Sequence, residues 1–162
     1  MNTIVVYYSM EGNTDLAAGR IAAALGADLL RLYPRKAYPA RGFKKFLWGG
    51  KSAVMAETPA LEPYRFDPAA YDRVILGFPV WASRPAPPIR TFLKENDLTG
   101  RRVAAFACQS GSGAEKAFAK LQACLPGGLE ATLVLTDPKA KPDEKNEEKI
   151  RAFCAALDGT PA

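Results

Sequence analysis

The chain has 162 residues, 48% hydrophobic and 24% charged; at about 150 residues per domain it makes one compact domain with one core, which excludes disorder and fibrous structure. Histidine is absent, and with it go Ser-His-Asp and Cys-His triads, His-ligated zinc or haem, and any His general base. The net charge of +5 favours acidic partners, and the excess is local: Arg31, Arg35, Lys36, Arg41, Lys44, Lys45 and Lys51 follow one another with no Asp or Glu between.

Ile4 to Tyr8 opens the chain as a short apolar, β-rich run, and Asn13 to Leu25 follows with Leu16, Ala17, Ile21, Ala24 and Leu25 at helical spacing. A second strand is expected at Ala27 to Leu32, then strands at Val74 to Phe78, Val103 to Ala107 and Leu129 to Leu135. Helices are expected between them at Phe43 to Met55, Pro87 to Glu95, Ala114 to Cys124 and Asp143 to Leu157. Tyr33 to Pro68 is punctuated by five prolines and reads as an elaborated crossover. Strict alternation of strand and helix predicts an α/β three-layer sandwich, a five-stranded parallel sheet with helices on both faces. The domain is expected to span residues 1–158, leaving 159–162 as a short tail.

Cys108, Cys124 and Cys154 are an odd set that forms neither a C-x-x-C pair nor a metal knuckle. The start Met1-Asn2-Thr3 has no basic region and no long apolar run of a signal peptide, and no stretch approaches membrane-span length. A cytoplasmic chain with no membrane span and no metal site is the expectation.

In an open parallel sheet, ligands gather at the carboxyl ends of the strands, which directs attention to three loops. After the first strand comes Ser9-Met10-Glu11-Gly12-Asn13-Thr14. Its hydroxyls, amide and glycine precede a helix N-terminus and would cradle a phosphate, although Asn13 or Thr14 would equally serve as a helix cap. After the third strand, Pro79, Pro85 and Pro87 hold Trp81 where a flat ring could stack against it, or where it folds over the core edge. After the fourth come Cys108, Gln109, Ser110, Gly111, Ser112 and Gly113, small residues with open backbone amides ahead of another helix. A cysteine ending a strand is more often buried and inert than redox-active.

Competing motifs fail on single positions. Gly50-Lys51-Ser52 ends like a Walker A loop, but Lys45 stands where its first glycine is required. A phosphatase of the Cys-x5-Arg type would need Arg where Ala114 stands, and a response regulator would need Asp where Gly77-Phe78-Pro79 stands. No GxGxxG follows the first strand. The basic stretch with Tyr33, Tyr38, Phe43, Phe46 and Trp48 reads as a solvated face with inward aromatics, so nucleic acid is not expected as a partner.

Ile4-Val-Val-Tyr-Tyr-Ser-Met-Glu-Gly-Asn-Thr14, Ile75-Leu-Gly-Phe-Pro-Val-Trp81 and Gln109-Ser-Gly-Ser-Gly113 together resemble the flavodoxin family across nearly the whole chain. The resemblance implies a sheet of strand order 2-1-3-4-5 and FMN as cofactor. Ser9, Met10, Glu11, Gly12, Asn13 and Thr14 would hold its phosphate. Pro79, Val80, Trp81 and Ala82 would border the isoalloxazine, and Cys108, Gln109, Ser110, Gly111, Ser112 and Gly113 would meet its other side or pyrimidine edge. No catalytic acid or base is implied, because the ring is the reactive part. Glu11 stands where Thr is more usual, Pro79 to Pro85 lack the family's frequent glycine, the third loop has no aromatic, and the family's electron carriers are typically acidic where this chain is basic. An electron-transfer protein serving a redox partner protein or a small-molecule acceptor is the first expectation. An FMN-dependent NAD(P)H or quinone oxidoreductase on the same fold is the second.

Overall fold

A computed structural model describes residues 1–38 and 58–159 of the chain. The helix expected at Phe43 to Met55, most of the basic segment and residues 160–162 lie outside the described residues.

Five parallel strands form the sheet: β1 (Thr3–Tyr7), β2 (Asp28–Arg31), β3 (Arg73–Trp81), β5 (Arg102–Gln109) and β6 (Thr132–Thr136), in the order β2-β1-β3-β5-β6. Counting only these five, the order is the expected 2-1-3-4-5. The sixth strand, β4 (Arg84–Pro85), is a two-residue antiparallel return on the end of β3, pairing Val80 with Pro85 and Trp81 with Arg84. The helices are α1 (Asn13–Leu25), α2 (Pro87–Glu95), α3 (Ala114–Ala123) and α4 (Glu144–Asp158), with a short 3-10 turn at Pro68–Ala70.

Each central strand is apolar on both sides because both sides are covered. Val74, Leu76 and Phe78 of β3 and Val103, Ala105 and Ala107 of β5 face one core with Ile89 and Phe92 of α2 and Ala117, Phe118 and Leu121 of α3. Val5, Tyr7, Ile75, Ala104, Phe106 and Leu135 face the other with Ala17, Ala18 and Ile21 of α1 and Ile150, Phe153 and Leu157 of α4. At the amino ends of the strands, Arg73 is 2% exposed and donates to Glu130 at 2.6 Å and to the Leu157 carbonyl at 2.8 Å, while Arg102 takes the other Glu130 oxygen. That end is closed by charge pairing, and the carboxyl ends are left for the cavity described below.

The third strand departs from expectation by running past Phe78 to Trp81 before turning back. Pro79, Val80 and Trp81 are therefore strand residues, and the turn is Ala82-Ser83 with φ of 49° and 59°. Two consecutive left-handed residues match the twist of a two-residue hairpin, a position that normally selects Asn-Gly. Ala-Ser carries no such signal in the sequence, so the hairpin was not foreseen. The last strand starts three residues later than the apolar run, at Thr132 rather than Leu129. Among the described residues no helix is long and apolar enough to cross a membrane.

Candidate functional site

The carboxyl ends of β1, β3, β5 and β6 surround a cavity of about 780 Å3. Of the residues expected from the three loops, all but Gly12 and Gly113 line it, and these two glycines begin α1 and α3 in left-handed conformation, φ 100° and 109°.

The first loop is tied down from below. Ser9 is buried and its Oγ accepts the Asp15 N–H at 3.1 Å, while Arg31 donates through Nη2 to the Ser9 carbonyl at 3.2 Å and through Nη1 to Asp15 at 3.3 Å. The Tyr7 hydroxyl donates to the same Asp15 oxygen at 2.5 Å. Burial, reinforced by that carboxylate, raises the Tyr7 pKa above its ordinary range. Arg31, the first residue of the basic segment, thus anchors the loop and is not a free surface charge. Gly12 has no side chain to cap α1; the Asp15 N–H is taken by Ser9 Oγ, and the Asn13 and Thr14 N–H groups and the helix dipole are left at the cavity end.

Asn13 and Thr14 are both engaged within the protein. The Asn13 side-chain oxygen accepts the N–H groups of Lys139 at 2.8 Å and Ala140 at 3.3 Å, clamping the loop after β6 onto the loop after β1 and leaving its NH2 as the donor it can still give. Thr14 is 1% exposed and hydrogen-bonds Cys108. Lys139 crosses the backbone of Gly12: a Cβ placed there would lie 2.6 Å from its Nζ. A loop that carries no Lys or Arg of its own therefore has a cation laid against it from a segment 126 residues away.

Trp81 folds over the core edge and borders the cavity. It is 5% exposed and packs edge-on against Tyr8 (ring centroids 5.6 Å) and Tyr38 (5.0 Å). Tyr38 packs inward here as expected of the basic stretch, whereas Tyr33 is exposed, and Tyr8 is a part of this wall that the sequence did not single out.

In the third loop Gln109 Oε1 accepts the Ala114 N–H at 3.1 Å, and the Ser110 hydroxyl donates to Asp137 at 2.7 Å. A Cβ on Gly113 would come 2.9 Å from Ser83 Oγ and 3.1 Å from Ser83 Cα, so this glycine lets the hairpin and the third loop touch. Gly111 and Ser112 stay exposed.

Sequence reasoning missed Ser83 and the fourth wall, Asp137 and Ala140 with Lys139 beside them. The signal existed: in a parallel sheet the loop after the last strand opens at the same end as the others. Asp137 is 7% exposed, has φ 41° and lies 3.8 Å from the Lys141 ammonium.

Cys108 is a neutral thiol. Burial pushes its pKa up to about 12, the nearby Asp137 adds to the rise, and the Thr14 hydrogen bond opposes it. Cys154, in the core under α4, is pushed up to about 11, again chiefly by burial. The unfolded chain would release both protons near 9.0, so folding holds protons that unfolding gives up. This contribution is fully present below pH 9 and is lost as pH rises towards 11 and 12. The urea midpoint is expected to fall across that window, and a Cys108→Ala/Cys154→Ala protein to fall less; equal slopes would contradict the assignment.

The chain matches a family model described as flavodoxin over residues 2–152. No curated protein matches it. Among solved structures it is similar to a protein assigned as a flavoprotein from Bacteroides eggerthii DSM 20697, with 27% identity, 99% of each chain covered and a TM-score of 0.79. A protein likewise assigned from Bacteroides uniformis ATCC 8492 is 28% identical, covering 93% of this chain and 97% of that one, with a TM-score of 0.77. The flavoprotein from Lactobacillus acidophilus NCFM, determined in complex with FMN, is 20% identical over 91% of this chain and 97% of that one, with a TM-score of 0.71, a likeness of fold alone. The family match begins before β1 and ends inside α4, so no strand of the sheet falls outside it: the chain belongs to the flavodoxin family.

Proposed function

We propose that the cavity at the carboxyl ends of the strands binds FMN and that the protein carries electrons through it between a reductant and an acceptor, either a partner protein or a small molecule. The observation that carries this reading is the convergence of loop one and the start of α1, with Lys139 laid against Gly12 beside them, on one wall of a cavity whose other walls are Trp81, the small residues of loop three, and Asp137 and Ala140. A volume near 780 Å3 falls in the range of small-molecule sites. The donor set fits a phosphate monoester attached to a planar, mostly apolar body: N–H groups at a helix N-terminus and one ammonium at one end, an indole and the small residues Gly111 and Ser112 elsewhere.

In this reading the amides at the start of α1, the Asn13 NH2 and Lys139 hold the phosphate. Arg31 and Tyr7 act through Asp15 and the Ser9 carbonyl to keep the loop in its binding shape. Trp81, braced by Tyr8 and Tyr38, limits water on one side of the ring, and Gln109, Ser110 and Ser112 supply polar contacts at its edge. Bound flavin supplies reversible uptake of one or two electrons, and the protein positions it and sets its surroundings. Cys108, neutral and buried, takes no part as a nucleophile.

Added FMN is expected to lose fluorescence on titration with the purified protein, saturating at one flavin per chain. Absence of both bound and bindable flavin would overturn the proposal. The net charge of +5, opposite to the acidic character typical of the family's electron carriers, favours a second reading, an FMN-dependent NAD(P)H or quinone oxidoreductase. Prompt bleaching of the flavin by NADPH or NADH with no added reductase would establish that reading over the first.

A further inference from the structure

The β3–β4 hairpin borders a second concavity of about 650 Å3, distinct from the flavin cavity. Four cations line it: Arg84 from the hairpin, Arg90 and Lys94 from α2, and Lys120 from α3. Its floor is apolar: half-buried Pro85 and Leu93 lie over buried Ile89 and Leu121.

Among the described residues no carboxylate lines the groove, and none of the four cations makes an ion pair. The one polar contact is from the Lys120 ammonium to the Ser83 carbonyl at 3.3 Å. Arg90 and Lys94 stand four residues apart on one helix, and Lys116 and Lys120 on the other, spacings at which like charges repel across a helix turn. The repulsion reaches Lys120, whose pKa is lowered by burial and then by Arg84 and Lys116. Arg84, Arg90, Lys94 and Lys120 thus face one groove, with Lys116 adding repulsion from outside it, and a bound anion would relieve that repulsion.

We propose that this groove binds a nucleotide-sized organic polyanion, its phosphates on Arg84, Arg90, Lys94 and Lys120 and its ring against the apolar surface of Pro85 and Leu93. Arginine forks match phosphate oxygens two at a time. The floor selects against a bare inorganic ion, and the concave shape selects against the broad face of a partner protein. The inference does not depend on flavin binding, since no residue of the groove lines the flavin cavity.

Cys124 lines the groove and is exposed, whereas Cys108 and Cys154 are buried, so one thiol reports occupancy. Alkylation of Cys124 by iodoacetamide should be slowed by ATP, about tenfold at ten times its Kd. In an Arg90→Gln/Lys94→Gln protein the ATP Kd should rise about tenfold or more, while the melting temperature stays level or rises because a repelling pair is gone. No protection by ATP at millimolar concentration would overturn the proposal, as would protection undiminished in the double variant. Inorganic pyrophosphate protecting as well as ATP would overturn the role of the apolar floor, and protection by an acidic polyglutamate peptide but not by ATP would make the groove a protein-docking face instead.

Discussion

Replacing Gly77 by alanine is expected to destabilise the fold by about 3 kcal/mol, at the upper end of what overpacking a core costs. Gly77 lies in the middle of β3, paired with Tyr7 on one side and Phe106 on the other. A Cβ at this position would fall 2.1 Å from Phe106 Cζ, 2.5 Å from Cε1 and 2.8 Å from Cε2. The Phe106 ring is fully buried, in the cluster that holds Ile75, Leu135 and Phe153, and has no open side to move towards. The ring occupies the volume that a side chain at position 77 would fill, so the two residues work as one packing unit. Phe106→Ala alone is expected to cost about as much by leaving a cavity. In the Gly77→Ala/Phe106→Leu protein the smaller side chain makes room, and part of the loss should return. Urea unfolding of the wild-type, Gly77→Ala, Phe106→Leu and Gly77→Ala/Phe106→Leu proteins forms a double-mutant cycle, and strictly additive losses would refute the coupling.

This pair also shows what could and could not be read in advance. Phe106 and Gly77 each sit in a short apolar run of the kind parallel strands use, so the strands and their order were legible from alternation and length. Which residues would face each other across β3 and β5 was not, because register is fixed by tertiary packing that no single run encodes. The site followed the same division. Loops one and three are written in Gly, Ser, Asn and Thr ahead of helices, and the structure brings both to the cavity. The hairpin at Ala82-Ser83 lacks the residues that its left-handed angles favour, and such a mismatch between local preference and backbone is expected where function or packing overrides it. The last wall was hidden for a different reason. Asp137, Lys139 and Ala140 carry no phosphate-loop pattern of their own, and their place depends on two hydrogen bonds to Asn13 across most of the chain's length.

FMN is expected to bind about tenfold less tightly to a Lys139→Ala protein, a loss of about 1.4 kcal/mol, close to what one charge-assisted hydrogen bond contributes. Loop one has no cation of its own, and the Arg31 guanidinium is spent on Ser9 and Asp15. Lys139 is therefore the ammonium laid over Gly12 where the first helix begins. Riboflavin, which has the same ring and no phosphate, should bind wild-type and variant equally, because what is removed is a partner of the phosphate alone. The ammonium is exposed, so salt should screen it, and the dependence of FMN affinity on ionic strength should flatten in the variant. Asn13→Ala makes a contrasting probe: it frees the backbone of Lys139 and Ala140 from their clamp and should lower FMN affinity together with the melting temperature. If Lys139→Ala weakens riboflavin as much as FMN, the lysine acts by holding the loop and not by meeting the phosphate. If neither flavin binds the wild-type protein, the flavin assignment itself fails, an outcome separate from equal FMN affinity in the two proteins, which would leave the helix amides and Asn13 sufficient for the phosphate without a cation.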